Sequence, residues 1–476
     1  MPVIGFLRHP RVLLATAVAA TMLVAPGLAA SPAAAASQAH ARISLSRSAG
    51  TATVAIRVSG TGFGSREGIN IFFGTIRSTV TRASRRGTFK SVEITVPVSV
   101  SPGRYRISAT GQRTGRSAAS WFTVPADSLS WPQFHDSASQ DGDDIGENVL
   151  STADVNLLHV RWDFTAGGLF NTSPIIVNGI VYATPENYQI DAISAATGKT
   201  LWDIDLYDAD YATPAVADGT LYAGLGNAYF YAFNAATGAY EWQFRTGGNT
   251  ESSPTVAGGD VYFGSSYGTI YALNAVTGAL AWDYPVSGNT SISSPAVVDG
   301  VLYEASGSTL YALNATTGAL IWTYVTGGTI FTSPAIADGM VYFGSDDGNI
   351  YALNAVTGVK AWAYPAGGLV DASPAIADNV VYAGSTNGNL YALNARTGSK
   401  LWSVQAGSQL ASAPAVANGV VYIGAGAPDE LLALNAATGR TLWTYPVGLI
   451  QTAPAIADGV LYATSESNGL YAFSLK

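Results

Sequence analysis

The sequence predicts an all-β chain: an eight-bladed β-propeller of four-stranded antiparallel blades with a composite closing blade, preceded by a small β-sandwich. Three observations carry this. Tryptophans recur about every 40 residues, a turn dipeptide recurs at one fixed place in each repeat, and each end of the array holds a partial repeat.

Trp162, Trp202, Trp242, Trp282, Trp322, Trp362, Trp402 and Trp443 mark the repeat. Within one unit, residues 333–339 read SPAIADG, 341–345 VYFGS, 350–358 IYALNAVTG and 361–364 AWAY. Four short strands in about 40 residues is the arithmetic of a propeller blade. The strict period gives the tryptophans a structural role between neighbouring blades; the alternative is a ring of ligand-stacking sites. One fully buried aromatic side chain is worth about 4–6 kcal/mol as an upper bound.

The turns agree. Between first and second strands stand Asn178-Gly179, Asp218-Gly219, Gly258-Gly259, Asp299-Gly300, Asp338-Gly339, Asp378-Asn379, Asn418-Gly419 and Asp458-Gly459. Two-residue hairpins need positive φ at both central positions, which these residues tolerate. Between third and fourth strands comes Asn-Ala-x-Thr-Gly, as at 274–278 and 394–398. Its Asn holds the turn backbone and its Gly takes the left-handed position.

Seven units run from about Asn171 to Val447, and three more strands follow before Lys476. The missing fourth strand stands in front, from Leu158 to Thr165 with Trp162. Joining the two closes the ring and hides its sheet edges.

Residues 1–36 read as an export signal: Arg8 and Arg11, an apolar run from Val12 to Val24, then a small-residue tract to Ala36. The alternative is an uncleaved membrane anchor. The chain has no cysteine, which excludes disulfides, thiolate metal sites, c-type haem attachment and a lipoprotein anchor within this sequence. The domain division is then 1–36 signal peptide, 37–125 sandwich, 126–156 linker or lead-in arm and 157–476 propeller. Residues 37–126 carry 13 Lys/Arg against 2 Asp/Glu, and residues 127–476 carry 8 against 30. Such a split suits binding of an anionic polymer by the basic part, attraction between the parts, or two solvated surfaces.

The unit SPAIADGMVYFGSDDGNIYALNAVTGVKAW (333–362) resembles the PQQ repeat of quinoprotein alcohol dehydrogenases and of the propeller lipoprotein of the outer-membrane β-barrel assembly machine. The lead-in WPQFHDSASQDG from Trp131 also looks like the start of such propellers. Across 42–125, alternation at Val54, Ile56, Val58, then Ile69, Ile71, Phe73, fits about seven strands of a sandwich. There Gly60-Thr61-Gly62-Phe63-Gly64 resembles immunoglobulin-like modules of the IPT/TIG sort.

The resemblance to quinoproteins implies an axial pocket with calcium held by Glu, Asn and Asp, and basic residues over the quinone. The near-constant blade length leaves no long loops to roof such a cofactor. No Gly-x-Ser-x-Gly, phosphate loop or His-Glu-x-x-His is present. His159 beside the closing strand reads as packing. Asp141, Asp143, Asp144 and Glu147 cluster in the lead-in as a calcium candidate or a solvated linker. No metal site and no cofactor are expected, with PQQ plus calcium as the alternative.

A binding site belongs on the face carrying the blade-to-blade connections, where sequence varies. Three residues before each repeat proline stand Asn171, Tyr211, Glu251, Ile292, Phe331, Asp371, Ala411 and Gln451, with Asp210 and Thr250 one residue earlier. From these, Asp210, Tyr211, Glu251, Phe331, Asp371 and Gln451 are the candidate ligand-binding residues at the axial mouth. Glu304 joins them because Phe263, Phe343, Ala383 or Ile423 fill its place elsewhere, and a buried carboxylate is costly; it reads as ligand-facing or locally solvated. No residue is assigned a catalytic role. The leading expectation is a secreted or extracytoplasmic binding or scaffold protein, with a protein, peptide or glycan partner at the variable face and an anionic wall polymer at the basic domain. The alternatives are a PQQ- and calcium-dependent dehydrogenase, with Glu251, Asp371 and Asp210 as ligands or bases, and a purely structural surface repeat protein.

Overall fold

A computed structural model describes residues 41–46, 55–73, 76–95, 103–124, 133–144, 149–206, 212–287, 293–467 and 469–475. The expected signal peptide and the candidates Asp210, Tyr211 and Glu147 lie outside them.

The N-terminal part is two facing sheets. Strands β1 (Arg42–Leu45), β2 (Ala55–Thr61) and β5 (Phe89–Thr95) make one. Strands β3 (Gly68–Phe73), β4 (Ile76–Arg82), β6 (Gly103–Gly111) and β7 (Ser117–Val124) make the other, in the order β4-β3-β6-β7. Alternation decides which side chains meet between them: Ile56 and Val58, then Ile69, Ile71 and Phe73, then Ile107, Ala109 and Phe122 form one buried core. Glu67 ties two loops of this part together. It accepts from the Gly64, Arg113 and Thr114 backbone N–H groups and from the Thr114 hydroxyl. Burial opposes the charge, but these bonds win and hold the carboxyl below its ordinary value.

Eight four-stranded antiparallel sheets follow, spanning 175–205, 215–245, 255–285, 296–325, 335–365, 375–405, 415–446 and, for the eighth, 455–474 completed by β8 (His159–Thr165). In the eighth sheet Ala472 pairs with Trp162 and Gly469 with Thr165, so the N-terminal strand is the outer strand of the closing blade. The first strand of the eighth blade adjoins that of the first, which closes the ring. The first-to-second-strand turns have positive φ at both central residues in all eight blades, as at Asn178 (52°) and Gly179 (77°). His159 is exposed on β8 rather than packed.

The core is a series of layers between blades. Ile350 and Ala352 of the fifth blade, for example, pack on Ile376, Val381 and Leu393 of the sixth. The tryptophans lock these layers. Trp322 Nε1 donates to the Ala355 carbonyl of the next blade's Asn-Ala-x-Thr-Gly turn at 2.9 Å, and Tyr303 Oη donates to the same oxygen at 3.1 Å. The pair recurs with Trp202 and Tyr182 on Ala235, and with Trp362 and Tyr342 on Ala395. Trp443, at the seam, uses the Leu158 carbonyl just before β8. Most of these rings are half-buried, Trp282 alone among them being buried, so each contributes less than the full-burial figure.

Candidate functional site: the plugged axial mouth

The innermost strand of each blade exposes one backbone edge to the ring axis, and an unpaired buried N–H is costly. Residues 133–144 meet that need. Their carbonyls accept from the innermost strands of successive blades: Ala138 from Val297 (2.7 Å), Ser139 from Ile336 (2.9 Å), Asp141 from Ile376 (2.7 Å) and Gly142 from Val416 (2.8 Å). Gln133 Oε1 accepts from the Val256 N–H at 3.2 Å, and Gln140 Nε2 donates to Thr255 and the Pro295 carbonyl. The lead-in is therefore a plug seated on five blades, and not a solvated linker. Asp144 is only 4% exposed. Among the described residues no group of His, Asp or Glu converges as a metal site.

Burial, followed by the charges of Asp141, Asp378 and Asp144, pushes the Asp143 carboxyl up to about 7. Burial, followed by Asp144, Asp141 and Asp143, raises the Asp136 carboxyl well above its ordinary value. His135 is fully buried, stacked on Phe134 at 4.4 Å between ring centres, and burial pushes its imidazole down to about 4.

Phe134 floors a cavity of about 230 Å³ that opens on the face of the blade-to-blade connections. Asn171, Glu251, Phe331, Asp371, Ala411 and Gln451 gather around it. One residue earlier, the chain points away from the mouth: Thr250 is buried and packs over Gly224 between blades. Glu304 does not join the mouth. It is wholly buried on the second strand of the fourth blade, directly across from Tyr311, and neither carboxylate oxygen has a hydrogen-bond partner. Burial raises its carboxyl well above the ordinary value. The expectation of a solvated or ligand-facing group fails because this position faces an interblade layer, where Phe343 packs in the fifth blade.

Two features of the mouth escaped the sequence reading. The first is a belt of hydroxyls one residue before six of the eight repeat prolines. The backbone N–H of Ser173 donates to Thr213 Oγ1, Thr213 to Ser253, Ser253 to Ser294, Ser294 to Ser333, and Ser333 to Ser373, all at 2.9–3.1 Å. Ala453 returns the belt to Ser173, and Ala413 with Ala453 leaves it open between the sixth and eighth blades. The column was visible in the repeats, but its bonds run between blades. The second is Asp346, in the turn between second and third strands of the fifth blade. Burial, and then the hydrogen bond and charge of Asp346, push Asp371 up to about 6. The unusual Asp346-Asp347 pair in that turn was the available signal.

A tricarboxylate quinone does not suit these walls. Among the described residues, Glu251 and Asp371 line the cavity and no Lys or Arg does, and Phe134 of the plug fills the axis beneath.

The sequence profile described as "Outer membrane protein assembly factor BamB" matches residues 186–303 and 288–476. Solved structures similar to this chain include BamB from Moraxella catarrhalis, at 19% identity over 67% of this chain and 99% of that one, with a TM-score of 0.59. Quinohemoprotein alcohol dehydrogenase from Comamonas testosteroni matches at 17% identity over 74% and 81%, with a TM-score of 0.64. The computationally designed Ika8 protein matches at 17% identity over 65% and 97%, with a TM-score of 0.58. No curated protein matches the sequence. At these identities the structures establish fold and leave chemistry to the site. The profile covers well over half of the chain, and on that ground the chain belongs to the family of the outer membrane protein assembly factor BamB.

Proposed function

We propose that this chain is an extracytoplasmic binding protein that takes a protein segment bearing a cationic side chain at the mouth of its propeller. The carrying observation is the acidic, hydroxyl-lined mouth with a closed floor. Glu251, Asp371 and its neighbour Asp346 supply negative charge, and no cation lines the mouth among the described residues. Around them the same face exposes Phe331, Leu169, Tyr188, Tyr267 and Leu369, which suit the apolar flanks of a peptide. The description of the matching family as an outer membrane protein assembly factor supports the reading. The apolar run with Arg8 and Arg11 supports export, and no helix among the described residues is long and apolar enough to cross a membrane.

Selection of displayed peptides on the mature chain should enrich Lys or Arg beside aliphatic residues. The double variant Glu251→Gln/Asp371→Asn should weaken the selected peptides about tenfold. Peptides insensitive to that variant would overturn the mouth as the site. Titration with PQQ and calcium is the complementary experiment. A saturable thermal shift at one equivalent would restore the dehydrogenase reading, and the absence of any selected peptide would favour a purely structural repeat protein.

A further inference from the structure

A second surface lies on the N-terminal sandwich. The outer side of the sheet β4-β3-β6-β7 carries the residues that alternate with the buried core positions. Arg106 on β6 stands directly across from Trp121 on β7, and Arg77 on β4 directly across from Phe72 on β3. Trp121 is 54% exposed and Val80 51%, the two exposed large apolar side chains among the described residues of this part. Both guanidinium-bearing residues are exposed. Ser108 and Asn70 fill the rows between, Ser108 across from Phe72 and Asn70 across from Val80.

Among the described residues, the arginines on this face make no ion pair. Residues 37–126 contain two acids against thirteen Lys/Arg. Glu67 is buried and bonded to loop N–H groups, and Glu93 lies on the other sheet, 3.6 Å from Arg57. Neither reaches Arg106 or Arg77. A flat platform with an indole, the guanidiniums of Arg106 and Arg77 with Arg82 at its edge, and neutral hydrogen-bonding side chains has a definite complement. The indole covers the C–H face of a sugar ring, Asn and Ser meet hydroxyls, and arginines pair with acid groups. Arg106 and Arg77 are two strands and about two residues apart, or roughly 12 Å from the strand spacing and rise. That separation matches acids repeated along a polymer better than the two oxygens of one carboxylate. A lipid or protein core would call for apolar side chains where Asn70 and Ser108 stand.

We propose that this sheet face binds an anionic polysaccharide, with Trp121 as the stacking platform and Arg106 and Arg77 as the acid-binding groups. The surface is separate from the propeller mouth and does not depend on the mouth being a peptide site.

The test uses the mature full-length chain and polygalacturonate as the probe, with neutral dextran, single-stranded DNA and anionic phospholipid vesicles as comparators. Polygalacturonate should bind saturably and weaken with salt. Trp121→Ala should cost at least tenfold in affinity, while Trp121→Phe keeps most of it. Arg106→Gln and Arg77→Gln should each cost several-fold and flatten the salt dependence. Glu251→Gln/Asp371→Asn should leave this binding unchanged, which separates it from the mouth. Because Trp121 is exposed, an unaltered melting temperature for Trp121→Ala is the folding control. Equal binding to dextran, or full binding by Trp121→Ala, would overturn the proposal. So would tighter binding to DNA or vesicles lost on the same substitutions, which would reassign the face to that partner.

Discussion

His135 and Asp143 titrate in opposite senses within one short plug. The His135 imidazole falls from 6.5 to about 4 on burial, so the seated plug refuses a proton that the released segment takes. Alone, it would weaken the seat as pH falls from 6.5 toward 4. Asp143 rises from 3.8 to about 7, and Asp136 rises from the same ordinary value. The seated plug keeps their protons where the released segment loses them. The Asp143 contribution is fully present below 3.8 and is lost as pH rises through about 7, and that of Asp136 has the same sign. Asp143 offsets the imidazole over this range, and the raised Asp136 and Asp141 carboxyls act in the same direction, so the seat should tighten between pH 7 and pH 5. The readout is hydrogen exchange at the Val297, Ile336 and Ile376 amides, which donate to plug carbonyls. Corrected for intrinsic rates, protection should rise by up to about tenfold per pH unit for one net proton. Asp143→Asn should flatten the profile and His135→Leu should steepen it. Protection falling toward pH 5 would show that the imidazole dominates.

At the scale of elements, the repeat works as a lock between one blade's outer strand and the next blade's turn. Gly318 shows why the turn ends in glycine. Its φ is +69°, and an added Cβ would lie 2.7 Å from the Trp282 ring, whose Nε1 donates to the Ala315 carbonyl in the same turn. Gly300, in the turn between first and second strands, also has positive φ (77°), but nothing lies within 4 Å of its Cβ position. The two glycines separate strain from contact. Gly300→Ala should cost about 1 kcal/mol, the backbone term alone. Gly318→Ala should cost about 2–4 kcal/mol, because it also displaces the indole from its neighbour. Chemical denaturation of the two variants checks this, and equal losses would mean that the indole moves aside freely.

For the whole molecule, the ring was legible because every blade repeats the same side-chain script, from Asp338-Gly339 to Trp362. The plug was not. It seats through main-chain carbonyls, as at Ala138, Ser139 and Asp141, which no side-chain pattern encodes. Its path also bends at His135, Asp136 and Gln140, three non-glycine residues with positive φ. Glu304 was conspicuous in the sequence, but its burial depends on the facing blade, which lies outside its own repeat. Closure joins both kinds of information. β8 supplies Trp162, whose Nε1 reaches the Ala195 carbonyl of the first blade, and Leu158 just before it offers the carbonyl that receives Trp443 of the seventh. It also covers the edge of the last strand, from Gly469 to Ser474. Deleting residues 157–165 removes both locks and bares that edge, so the ring should open at the eighth blade. Unfolding should then lose its single cooperative transition, and the exposed edge should drive concentration-dependent association in sedimentation. A synthetic peptide of residues 157–165 should pair with the bared strand and reverse both effects. Unchanged cooperative melting of the deleted chain would mean that seven blades and the plug hold the ring without the N-terminal strand.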